Sequence, residues 1–205
     1  MWERFKQDAL RWVVPGELAE PTVLTWALLV KLLFRYPALR ATAWYRLACW
    51  CKANRIPLMV GSIQRWLFFR FGVEIAGDIE GGLYLAHPVG TVINVSHMGQ
   101  NCSIIAAVTI GMRNKWAFPV IGDGVFIGAG ARILGEIIIG DHVKIGANAV
   151  VVTDIPDYAT AVGVPARVLK SEPVSPPVDE VIEQLYTSMD QQNGSMDHSL
   201  SSLYV

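Results

Sequence analysis

From residue 73 the sequence repeats itself every six residues, and few folds accept that period. Aliphatic side chains fall at Ile79 and Leu85, then at Met98, Ile104 and Ile110, and again at Ile121, Ile127, Ile133, Ile139, Ile145 and Val151. Glycine follows at 122, 128, 140 and 146, and a second apolar or small residue stands four places on, at Val125, Ala131, Ile137, Val143 and Ala149. An amphipathic helix needs apolar positions three and four apart, and a half-buried strand needs strict alternation. A period of six meets neither. It meets a triangular solenoid, in which each hexapeptide supplies one short flat face and a corner, and three of them close a coil. The aliphatic residue points inward, the small residue fits the corner, and glycine adopts backbone that a Cβ resists. Each coil hydrogen-bonds to the next, so no coil is stable alone. The pattern predicts a mainly β chain, a parallel β-helix over 73–170.

Two interruptions break the frame. The step from Ile110 to Ile121 is 11 residues, so GMRNKWAFPV holds a loop expelled from the solenoid, and one residue near His97 is extra. Insertions into repeats map to loops on one face, often the binding face. Trp116 and Phe118 on that loop are costly to leave in water, so a neighbouring subunit or a ligand is expected to cover them.

The chain before the solenoid differs in kind. Residues 1–72 carry eleven Lys and Arg against four Asp and Glu, a net +7, and six of the seven Trp. The rest is net −8. Basic and Trp-rich sequence suits an anionic surface with an apolar interior, a membrane face rather than nucleic acid. The segments 40–54 and 58–72 read as helices separated by Ile56-Pro57, giving an N-terminal α-helical region over 1–72. The longest apolar stretch, Thr22 to Phe34, is broken by Lys31 and falls short of the roughly 20 residues a span requires. No transmembrane segment is expected, and no secretory signal, since the start lacks an apolar core. Three cysteines without framework spacing fit a reduced, cytoplasmic setting, at the cytoplasmic face of the membrane if residues 22–72 meet lipid. After the solenoid, 171–205 reads as a Pro-rich linker, a short helix over Glu180–Met189 and a mobile polar tail.

The segments GVEI, LAHPVGTVIN, NCSIIAAVTIG, VIGDGVFIGAGARILGEIIIGDHVKIGANAVVV and ATAVGVPARV together resemble the serine acetyltransferase branch of hexapeptide-repeat transferases, including relatives that O-acetylate exopolysaccharides. The resemblance covers about residues 66 to 170. It implies a left-handed β-helix, a homotrimer, and acetyl-CoA as donor. It places the catalytic base at His87, in LAHPVG. The chemistry agrees: an alcohol attacks a thioester slowly unless its proton is taken as the bond forms, and a neutral imidazole suits that task. A carboxylate upstream orients the histidine in such enzymes. Glu74 matches by motif, but its gap to His87 is two residues short of the family pattern, so Asp78 competes with it. Either would hold the tautomer and stabilise the imidazolium. The donor's pantetheine arm is expected along Ala129 and Ala147, with Gly111 near the thioester and Lys144 facing a CoA phosphate. The glycine and alanine positions are also demanded by the fold. No three-histidine pattern appears, so no metal is expected.

The departures concern the acceptor. Ala86 stands where serine acetyltransferases carry Asp, Ala117-Phe118-Pro119 replaces their Arg-His-Pro run, and VINVS replaces VIGET. A zwitterionic amino acid needs charged partners that this motif lacks. The leading expectation is therefore acetylation of a sugar hydroxyl, in a surface polysaccharide or its lipid-linked precursor. Serine O-acetylation with an altered pocket is the alternative, and an inactive solenoid scaffold is the alternative outside enzymes. Residues 22–72 either contact an anionic membrane or pack between subunits.

Overall fold

The computed structural model describes residues 1–13 and 24–169. The linker, the helix expected over Glu180–Met189 and the tail lie outside the described residues. Four helices precede the strands: α1 (Trp2–Leu10), α2 (Trp26–Arg35), α3 (Pro37–Ala53) and α4 (Pro57–Phe71). Proline opens α3 and α4, where its missing N–H costs nothing and its fixed φ already suits a helix. Gly72, at φ 64°, ends α4 in the left-handed conformation and turns the chain into the first coil.

The strands build a left-handed β-helix of three faces, each a column of inward side chains. On the first face, β1 (Val73–Ile79), β3 (Thr91–Met98), β5 (Thr109–Gly111), β8 (Arg132–Leu134) and β11 (Val150–Val151) stack Ile75, Ile93, Ile110, Ile133 and Val151. On the second, the ends of β1 and β3 continue into β6 (Val120–Ile121) and β9 (Ile138–Ile139), stacking Ile79, Met98, Ile121, Ile139 and Ile155. On the third, β2 (Tyr84–His87), β4 (Ser103–Ala106), β7 (Phe126–Ile127), β10 (Lys144–Ile145) and β12 (Thr160–Val162) stack Leu85, Ile104, Ile127, Ile145 and Ala161. All fifteen are buried. Their burial, at about 25 cal/mol per Å² of apolar surface, is the main favourable term holding the coils together.

Both interruptions have structural counterparts. Ile104 pairs with Ile127 and Met98 with Ile121, each 23 residues on. Five residues beyond the ordinary 18 are thus looped out between Gly111 and Val120 on every column that crosses this point. The extra residue near His97 is a bulge, with Ala76 opposite Asn94 but Asp78 opposite His97. Gly77 sits in it at φ 118°, and a Cβ there would lie 2.1 Å from the Val95 carbonyl, so only glycine fits.

The first of the N-terminal helices closes the first coil. Helix α1 and its C-cap residue send Arg4, Asp8 and Arg11, one stripe at i, i+4 and i+7, onto the open end of the solenoid. Arg4 donates to Asp78 (2.8 Å) and to Glu80, and Arg11 donates to the Asn101 carbonyl (2.7 Å) and Ser103 Oγ (2.7 Å). Asp8 is fully buried and accepts from Arg46 Nε (2.8 Å), Arg46 Nη2 (3.0 Å) and the Leu83 amide (2.8 Å). Burial pushes its carboxyl up, while Arg46 and the amide pull it back. Arg46, from α3, also donates to the Ile79 and Glu80 carbonyls. Open strand edges invite other chains, and here side chains occupy the edge. Helices α3 and α4 share one apolar core with the coils through Tyr45, Ile63, Leu67 and Phe71. At the far end β13 (Arg167–Leu169), from the GVPAR segment, pairs antiparallel with β12.

Candidate active site

His87 ends β2 on the third face, with its side chain exposed. Thr91 Oγ1 donates to its carbonyl (3.3 Å) across the Pro88–Gly90 turn, which fixes the backbone. Among the described residues, no side chain hydrogen-bonds to the imidazole ring. His87 pairs with Ala106, and both stand two residues past the inward side chain of their coil. Ala129 and Ala147 stand two past Ile127 and Ile145, which pair with each other. The four therefore mark one edge of the prism, with the histidine at its head and alanines below it. A Cβ on Gly128 would lie 2.7 Å from the Ala147 amide, so tight stacking already demands small residues here. Lys144 is exposed on the third face beside that edge. Gly111 is buried at the end of β5, around the corner, and its carbonyl accepts the Gly135 amide (2.9 Å). The small edge leaves room for an extended chain, and Lys144 is a cation beside it, so the residues present fit the donor.

The two carboxylates lie elsewhere. Glu74, in β1 on the first face, accepts from Asn94 Nδ2 (3.0 Å). Asp78 accepts from Arg4 (2.8 Å) and faces His97 Nδ1 (3.3 Å). The Arg4 hydrogen bond, with help from His97, holds the Asp78 carboxyl below the usual carboxylate range. Within one chain neither carboxylate hydrogen-bonds to His87. Glu74 instead lines a cleft of about 380 Å³ with Asn94, Gly77, Met112, Trp116 and Phe118. The looped-out segment forms its outer wall. Trp116 is 81% exposed and stands edge-on to Phe118, with ring centroids 5.5 Å apart. Among the described residues, no Lys, Arg or His lines this cleft. Asn94 and Met112 are contributors that the repeat pattern does not mark; the only hint was a polar residue interrupting an aliphatic run at VIN. Among the described residues, no three His, Cys, Asp or Glu side chains gather as a metal site.

A left-handed β-helix carrying an exposed histidine at the head of a small-residue edge defines a hexapeptide-repeat acyltransferase. Residues 118–153 match the bacterial transferase hexapeptide (six repeats) family. The serine acetyltransferase of Helicobacter pylori strain 26695 is 36% identical over 148 residues, spanning 69% of this chain and 86% of that protein. A solved serine acetyltransferase in complex with CoA superposes with a TM-score of 0.68 at 33% identity, covering 82% of this chain and 68% of that one. The Neisseria gonorrhoeae serine acetyltransferase in complex with serine gives a TM-score of 0.69 at 34% identity, covering 81% and 68%. The chain belongs to the serine acetyltransferase family. It is a CoA-dependent acetyltransferase, with acetyl-CoA as donor.

Proposed function

We propose that this enzyme is a serine O-acetyltransferase in which His87 is the general base. The observation that carries the reading is the position of His87 at the head of the Ala106–Ala129–Ala147 edge, in a chain matching 86% of a serine acetyltransferase. The imidazole takes the hydroxyl proton as the oxygen attacks the acetyl carbonyl. The C–S bond then breaks, the imidazolium returns the proton to the thiolate, and an ester and free CoA leave. This exchanges the order in which the sequence ranked the acceptors: the comparisons favour serine over the polysaccharide hydroxyl. One observation still favours a sugar. Among the described residues, the cleft beside Glu74 offers a carboxylate, an amide and two aromatic rings, but no cation to meet an amino acid's carboxylate. A screen following CoA thiol release decides, with L-serine, free sugars, nucleotide sugars and oligosaccharides as acceptors. Serine turnover at least tenfold above every sugar is expected; turnover on a sugar alone would overturn the serine reading.

The reading includes a homotrimer. His87 and Glu74 belong to the same first coil but to different faces, so a threefold packing of unlike faces would bring one subunit's histidine to another's cleft. The exposed Trp116 supports this, because a large aromatic side chain left in water favours a partner. Light scattering should give three times the chain mass at micromolar concentration. Trp116→Ala should lower that mass or weaken acetyl-CoA binding, and a stable wild-type monomer would count against the trimer. The location supported by the helices, rather than by the solenoid, is the surface of an anionic membrane.

A further inference from the structure

We infer that α4 and the α3–α4 turn form a docking face for an anionic phospholipid surface, a property independent of which acceptor the enzyme uses. Helix α4 buries only Ile63, Leu67 and Phe71. It exposes Leu58 (87%), Met59, Trp66, Phe68 and Phe69 (78%), and a groove of about 570 Å³ runs along it between Leu58 and Phe69. A soluble surface helix normally confines its apolar residues to the buried stripe, and a helix apolar on several sides has something on each of them. Among the described residues only one side of α4 is covered.

Charge identifies the cover. Residues 24–72 hold eight Lys and Arg and no Asp or Glu. Arg46 is taken by Asp8, and Arg40 is turned inward onto the Leu33 and Phe34 carbonyls. Lys52, Arg55, Arg65 and Arg70 are exposed, and none is in an ion pair among the described residues. Arg65 and Arg70 lie on α4 itself, beside the uncovered side chains, Arg55 lies on the turn that leads into it, and Lys52 in the last turn of α3. A second copy of this face cannot satisfy it, because joining two acid-free faces brings cation against cation. A nucleic acid would supply phosphates but nothing for Leu58, Met59 and the two phenylalanines. A bilayer surface supplies both at adjacent depths: anionic headgroups for the guanidinium groups, the headgroup boundary for Trp66, and acyl chains for Leu58 and Phe69. No helix among the described residues is long and apolar enough to cross a membrane, so α4 would lie in the plane of the surface. Held there, the enzyme would meet any membrane-confined acceptor without diffusing to it.

The test uses the full chain and flotation with phosphatidylcholine vesicles, with and without phosphatidylglycerol. Binding is expected only with the anionic lipid, and it should weaken as salt rises. Arg65→Gln and Arg70→Gln should each lower partitioning roughly fivefold, the equivalent of about 1 kcal/mol per cation near the surface. Phe69→Ser should lower it at least as much. All three variants should keep the wild-type mass, thermal midpoint and rate of CoA release with a soluble acceptor. Failure of the wild type to float with anionic vesicles at low salt overturns the proposal. So does unchanged flotation of a variant carrying Arg65→Gln, Phe69→Ser and Arg70→Gln together. A fall in assembly mass on Phe69→Ser would show instead that α4 is covered by a neighbouring subunit. None of these outcomes bears on acetyl transfer, which is read separately in the same preparations.

Discussion

His87→Ala should lower turnover at least ~100-fold while leaving acetyl-CoA binding intact, the signature of losing a general base. The imidazole is exposed at the end of β2 and no described side chain hydrogen-bonds to it, so its removal disturbs no packing. Stability should not change. The measurement is kcat from CoA thiol release, with donor affinity followed separately by calorimetry. If the variant kept near-normal turnover, another group would be the base, and His97, already facing Asp78, would be examined next. The orienting carboxylate can be separated in the same assay. Glu74 stands in the cleft with Trp116 and Phe118, whereas Asp78 is engaged by Arg4 at the capped end of the coil. Glu74→Gln should therefore reduce kcat more, and Asp78→Asn should act on the seating of α1. A larger kcat loss for Asp78→Asn would reverse the assignment.

Asp8→Ala should destabilise the fold by about 3–5 kcal/mol, the cost of leaving a buried charge without its partner. The Asp8 and Arg46 side chains are 0% and 3% exposed, and the carboxylate also satisfies the Leu83 amide. Its loss orphans two guanidinium donors and one backbone N–H under α1. Domains have only about 5–15 kcal/mol of net stability, so such a loss is a large share of the total. Urea unfolding at neutral pH should show the midpoint fall, and the first coil should lose amide-exchange protection before the later coils. A loss under 1 kcal/mol would mean that α1 is dispensable as a cap. Replacing Asp8 and Arg46 together with apolar residues should recover much of the loss, because both buried charges then disappear.

These two predictions differ in how far the sequence reaches. The coil frame was legible because the repeat is a local signal expressed many times: every inward position from Ile79 to Val151 is buried, and the looped-out segment and the bulge at His97 lie where the period slips. His87, Ala129 and Ala147 were named through the family resemblance, which rests on motifs written in the same repeat, and the coil register then puts them on one edge. Helices α3 and α4 were legible through their prolines and their composition. Helix α1 lies within the helical region expected over 1–72, but its contacts were not read, although Arg4, Asp8 and Arg11 share a helical stripe, because nine residues of mixed charge look like any exposed segment until their partners are known.

What only the tertiary structure decided is which charges meet. Asp78 was a candidate to orient His87, but Arg4, 74 residues away in sequence, holds it. Glu74 meets Asn94 and faces an aromatic wall built by a loop more than 35 residues on. A period records what each residue does against its own coil, and it sums over many weak, equivalent positions. An ion pair depends on where a separate helix docks, and a cleft depends on where an expelled loop folds back. Both are single events, and neither leaves a repeating trace in the sequence.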